Sequence, residues 1–247
     1  MILAVLGALI VGGTLGLLGS GGSILTVPIL VYLLGRETDI AIPESLVIVG
    51  AIALTAAVPH AIAGRVRWKA FVSFALGGVA GAYLGARLAA HVPGAVQLVV
   101  FALVMAIAAW RMLRPAPSVK EDLPPAPLPL LALTGLGVGV MTGFVGVGGG
   151  FMIVPALVLI ARLPMRQAVA TSLALIATSA ASGLAGYGVA GIDWRMVGIF
   201  VLAGFAGSQI GSRVGARLPQ ATLKRAFALF LIPMACLILV RELLELA

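Results

Sequence analysis

The chain is 247 residues long, 62% hydrophobic and only 10% charged, with a mean hydropathy of +1.19. Soluble domains carry about a quarter charged residues, so this composition excludes a water-covered fold. Sixteen Lys and Arg against eight Asp and Glu give a formal charge of +8, but the basic residues are scattered singly over short loops. That is the pattern of membrane orientation and not of nucleic-acid binding.

In chain order, the first element is an apolar segment from Ile2 to Leu34, broken at Gly19 to Ser23. It lacks a basic n-region and is read as structure and not as a cleaved leader. Three apolar runs of spanning length follow, Glu44 to Ala63, Trp68 to Ala90 and Pro93 to Leu113. Residues 115–129, with six prolines and three charges, are unlike the rest and predict an extended linker. The second half then gives a broken segment, Leu130 to Arg162, and runs Gln167 to Val189, Trp194 to Ala216 and Pro219 to Val240.

The two halves are a duplication. Gly16, Gly19, Gly21, Gly22, Val27, Pro28 and Leu30 recur as Gly143, Gly146, Gly148, Gly149, Val154, Pro155 and Leu157. After a one-residue deletion, Trp68, Gly78, Gly81, Gly85, Arg87 and Pro93 recur as Trp194, Gly204, Gly207, Gly211, Arg213 and Pro219. The domain organisation is therefore a membrane repeat over 1–114, the linker over 115–129 and a second membrane repeat over 130–247.

Each broken segment has apolar arms of about 16 and 12 residues, which reach roughly 24 and 18 Å at 1.5 Å per residue. Both fall short of a hydrocarbon core about 30 Å thick. A single kinked crossing divides the 16 basic residues evenly between the two sides, whereas a hairpin divides them 12 to 4, as the positive-inside rule requires. The expectation is an all-α integral membrane protein of two inverted repeats, each a glycine-broken re-entrant-like hairpin plus three transmembrane helices. The linker is cytoplasmic, both termini lie outside, and the hairpins enter from opposite faces with their tips near each other.

Glycine-rich backbone within an apolar segment frees N–H groups that lipid cannot satisfy. Where helices restart, at Gly19, Ser20, Gly21, Gly22 and Ser23 and at Gly146, Gly148, Gly149 and Gly150, those groups form positive helix ends suited to an anion. Paired discontinuous helices at a repeat interface are where a transporter holds its substrate. Ser45 and Ser172, beside the hairpins, are candidate pore-lining hydroxyls. The Gly81/Gly85 and Gly207/Gly211 stripes read as helix-packing surfaces. His60 is a candidate coupling residue inside a span, with Tyr187 as its repeat counterpart, and Arg87 and Arg213 are candidate anion attractors or gates at helix ends. Glu37, Asp39, Glu44 and Asp193 all fall at helix ends, so no carboxylate relay is expected. Two histidines and one cysteine build no metal site, no cofactor motif is present, and no nucleophile–base pair points to an enzyme.

The repeated glycine–proline element, the turns Gly64 to Trp68 and Gly191 to Trp194, and the glycine stripe ending in Arg87-Leu88 or Arg213 resemble the sulfite exporter TauE/SafE family. The resemblance covers essentially the whole chain and implies a prokaryotic plasma-membrane permease for small sulfur-containing anions such as sulfite, thiosulfate or sulfoacetate. A passive anion pore is the alternative, and a membrane scaffold or enzyme a more distant one.

Overall fold

The computed structural model describes residues 2–19, 21–113, 127–145 and 150–246. Their order is α1 (Ile2–Leu18), α2 (Gly21–Pro28) running into a π-helical turn (Ile29–Leu33), α3 (Thr38–Ile62), α4 (Trp68–Ala89) and α5 (Gly94–Leu113). The second half follows as α6 (Leu128–Val145), α7 (Gly150–Leu159), α8 (Met165–Tyr187), α9 (Trp194–Arg217) and α10 (Gln220–Leu246). Among the described residues there is no strand, and seven helices are long and apolar enough to cross a membrane. The proline-rich linker lies almost wholly outside the described residues.

Three boundaries differ from expectation, and the end of α10, at Leu246 instead of Val240, is one of them. Helix α3 starts at Thr38 and runs through Pro43, although proline lacks the N–H that a helix interior uses. Helix α6 spans 18 residues, two more than the arm anticipated, and qualifies by length and composition as a seventh crossing.

The first broken segment is a hairpin. A Cβ on Gly22 would overlap the carbonyl oxygen of Val11, and Ile29 packs on Gly7, so α2 returns along α1. Both second arms end alike. Leu34 N–H reaches Ile29 O and Arg36 N–H reaches Leu30 O; Ala161 reaches Ala156 and Leu163 reaches Leu157 in the same way. The residue inside each closure has a left-handed backbone, Gly35 at φ 66° and Arg162 at φ 57°. A β-carbon makes that conformation costly, and Arg162 holds it between the closing hydrogen bonds of Ala161 and Leu163.

The halves interlock crosswise. Helix α1 lies on α9 of the other half, and α6 lies on α4. Glycine makes both contacts possible. A Cβ on Gly12 would overlap Gly204 O and one on Gly211 would overlap Gly13 O, while their repeat partners Gly139 and Gly85 would strike Gly78 O and Val140 O. Backbones this close are the packing that small residues provide where lipid removes the hydrophobic drive between helices. The glycine stripes are therefore packing surfaces, as their spacing predicted.

Helices α3 and α8 form the centre, with 67% and 61% of their apolar windows buried against 31–39% for the other spans. They run antiparallel. The Asp193 N–H, just past α8, donates to Glu44 near the start of α3 (3.0 Å), and the Arg67 N–H, just past α3, donates to Thr171 near the start of α8 (3.0 Å). Glu44 and Thr171 occupy the same repeat position, as do Arg67 and Asp193. The molecule thus has two ends. One gathers the end of α3 and the starts of α4, α6, α8 and α10, with Arg65, Arg67, Lys69, Arg162 and Arg166. The other gathers the starts of α3 and α9 and the end of α8, with Arg36, Asp39, Glu44 and Asp193.

Candidate functional site

The first bend is held by Gly19. Its φ of 75° favours glycine, and a Cβ there would lie 2.8 and 2.9 Å from Val169 atoms. Its N–H closes α1 onto Leu15 O (2.7 Å). The hydroxyl of Ser172 donates to Val169 O (2.8 Å) and has Gly19 O in reach (3.1 Å), so this serine ties α8 of one half to the bend of the other. Helix α2 begins at Gly21 as expected, placing the Gly21 to Ser23 backbone at a helix start. Gly22 also has a packing duty against α1, and Ser23 is fully buried. Ser20, Gly146, Gly148 and Gly149 lie outside the described residues; Gly150 is buried and opens α7.

Ser45 repeats the geometry of Ser172, donating to Ile42 O (2.8 Å) where Ser172 donates to Val169 O. Back-bonding of this kind satisfies a hydroxyl inside an apolar helix. The Tyr187 hydroxyl donates to Phe144 O (3.1 Å) near the end of α6. The two first arms therefore end beside opposite ends of α8, at Ser172 and at Tyr187, 15 residues apart (187 minus 172). That is roughly 20 Å along a helix. The expected closeness of the two tips falls on Gly146 to Gly149, which lie outside the described residues.

His60 lines a cavity of about 120 Å³ with Gly16, Arg65, Arg166, Val169 and Ser212, and an adjoining one of about 250 Å³ with Gln209 and Arg213. Its Nδ1 is buried without a hydrogen-bond partner among the described residues. Arg213 is thus brought beside His60. Arg87, its repeat partner, is not; it turns to the Tyr83 hydroxyl (3.2 and 3.3 Å) and stacks over that ring.

Glu44 is the residue the sequence reading misplaced. It is fully buried, and it accepts from the Arg36 guanidinium and the Asp193 N–H, with Asp193 Oδ2 a further 3.5 Å from Arg36. The hydrogen bonds that Arg36 donates to Glu44, followed by the Glu44 and Asp193 charges, raise the Arg36 pKa despite partial desolvation. Its repeat register offered a signal, since Thr171 is the matching position and lies well inside α8.

The family model described as Sulfite exporter TauE/SafE matches residues 4–238. The chain belongs to this family. A probable membrane transporter protein of Xylella fastidiosa (strain 9a5c) is 34% identical over 241 residues, covering 94% of this chain and 92% of the relative. The probable membrane transporter protein YunE of Bacillus subtilis (strain 168) is 25% identical over 263 residues, covering 96% of each chain. A probable membrane transporter protein of Haemophilus influenzae (strain ATCC 51907) is 28% identical over 262 residues, covering 95% of this chain and 96% of the relative. No solved structure matches significantly. The protein is a multi-pass membrane transporter of the TauE/SafE family.

Proposed function

We propose that the protein is a permease for small sulfur-containing anions, such as sulfite, thiosulfate, sulfoacetate or another organosulfonate. It works by alternating access around the two glycine runs, with the anion bound at the Gly21 to Ser23 helix start and beside the second run, Gly148 to Gly150. Residues 1–114 and 130–247 act as inverted repeats, joined by a cytoplasmic linker over 115–129. The observation that carries the reading is the reciprocal exchange between halves. Ser172 of one half holds the bend of the other, α3 and α8 run antiparallel, and α1 and α6 each pack on the opposite half. An arrangement in which each half carries the other's first arm allows the two ends to trade open and closed states by a small rotation of one half on the other. The family name supports the choice of anion.

The test is transport in proteoliposomes. Labelled sulfite and thiosulfate should show saturable uptake and counterflow against unlabelled anion trapped inside. Flux that rises linearly with concentration and lacks counterflow would identify a passive pore instead.

A further inference from the structure

The repeat provides an internal control for the cavity at His60. Tyr187 occupies the matching position in the other half, and its hydroxyl closes onto Phe144 O. Phe144 is the repeat partner of Leu17, which lines the His60 cavity. The shorter imidazole makes no such contact, and a space lined by Leu17, Arg65 and Arg166 remains at that end. The charges diverge in the same sense. Arg166 stands where the first half has Asp39, and Ser212 where it has Ala86.

The cavity wall is cationic and uncompensated. Arg65 and Arg213 form no ion pair among the described residues, and no carboxylate lines either space. Arg166 donates to Ala216 O and Leu218 O (3.1 and 3.3 Å), which fixes its guanidinium against the end of α9. At the opposite end, by contrast, Arg36 is neutralised by Glu44 and Arg241 lies over the Tyr32 ring. Volumes of about 120 and 250 Å³ admit a handful of waters at about 30 Å³ each, and so a small oxyanion with its residual hydration. Val169 joins this space to the bend, because it lines the cavity and touches Gly19.

We propose that this cavity is an oxyanion-binding vestibule, in which Arg65, Arg166 and Arg213 supply the charge and Gln209, Ser212 and His60 supply polar contacts. It receives the anion at the basic end of the protein before the anion meets the first bend. Planar guanidinium groups suit the oxygens of sulfite, sulfonate or sulfate. The choice of ligand rests on the anion-transport reading; the site itself rests on the cavity and its charges.

The experiment measures sulfite, methanesulfonate and sulfate binding by calorimetry on the full chain in phosphatidylcholine nanodiscs. Arg65→Gln and Arg213→Gln should each weaken sulfite binding about tenfold, the loss expected for one charged hydrogen-bond donor. His60→Tyr, which imposes the side chain of the closed half, should remove detectable binding. Arg195→Gln, which deletes the same charge at the other end, should stay within twofold. Arg213→Lys keeps the charge, separates its loss from misfolding, and should bind at least as well as Arg213→Gln. Arginine variants that bind sulfite within twofold of the unaltered protein would overturn the proposal. So would arginine-dependent binding of added phosphatidylglycerol with no soluble anion bound, since the occupant would then be a lipid headgroup. Transport is scored separately. Arginine-dependent sulfite binding without flux of any sulfur anion would remove the transport reading and leave the vestibule, and saturable flux with arginine-independent binding would do the reverse.

Discussion

Glu44→Ala should destabilise the protein more than Thr171→Ala, although the two residues hold the same repeat position and accept from repeat-equivalent backbone donors, Asp193 N–H and Arg67 N–H. Thr171 loses one neutral hydrogen bond, about 1 kcal/mol. Glu44 is fully buried and serves two donors, so its removal leaves the Asp193 N–H unsatisfied, about 1–2 kcal/mol. The Arg36 contribution adds only about 1 kcal/mol, because its side chain is 24% exposed and Asp193 Oδ2 remains 3.5 Å away. The total is about 2–3 kcal/mol. At roughly 2–4 °C per kcal/mol for a chain of this size, the melting point should fall by roughly 4–12 °C for Glu44→Ala and 2–4 °C for Thr171→Ala. Glu44→Gln keeps an acceptor and should fall between them. The raised Arg36 pKa contributes stability that is present below its unfolded value and lost only as pH rises through the still higher folded value. Arg36 therefore adds no pH dependence between about pH 6 and 9. Melts followed by size-exclusion recovery in one detergent decide the matter. Equal losses for Glu44→Ala and Thr171→Ala, or a Glu44→Ala melt within 2 °C of the unaltered protein, would refute the reasoning.

Cysteine labels at Ser118 and after Ala247 should report opposite sides of the membrane; the same side for both would sink the inverted arrangement. Gly22→Val should abolish transport, because its side chain would enter the Val11 carbonyl. Overpacking costs about 1–3 kcal/mol, so a monodisperse Gly22→Val protein with full transport would contradict the hairpin geometry. Gly148→Val, at the second bend, should likewise lose transport and ligand binding in protein that remains monodisperse. His60→Gln should leave pH-dependent sulfite transport largely intact across about pH 5 to 8, the range where histidine titrates. Arg65, Arg166 and Arg213 face His60 and no carboxylate does, so the proton is expected to travel on the anion itself; retained transport with an abolished pH response would assign coupling to His60.

Much of the scaffold was readable because the repeat is written in residues with backbone consequences. Gly78, Gly85, Gly204 and Gly211 announce close helix contact, and the matched prolines and tryptophans fix the register. What such a pattern does not carry is the partner. The stripe ending at Gly211 meets Gly13 of α1, nearly two hundred residues earlier, and spacing alone allows any other small-residue face. Burial of Glu44 was hidden for a related reason: it follows Pro43 at an apparent helix end, and only the fold brings Arg36 and Asp193 onto it. The most informative positions are those where the copies share a backbone and differ in chemistry. Glu44 and Thr171 close the two ends with an ion pair and with a neutral bond. Tyr187 and His60 fill one pocket and leave the other open, and Asp39 and Arg166 give the two ends opposite charge. A shared backbone lets both ends undergo the same motion. Under the proposed alternating access, gradients set the net direction, and these three pairs make the two ends unequal in their affinity for an anion.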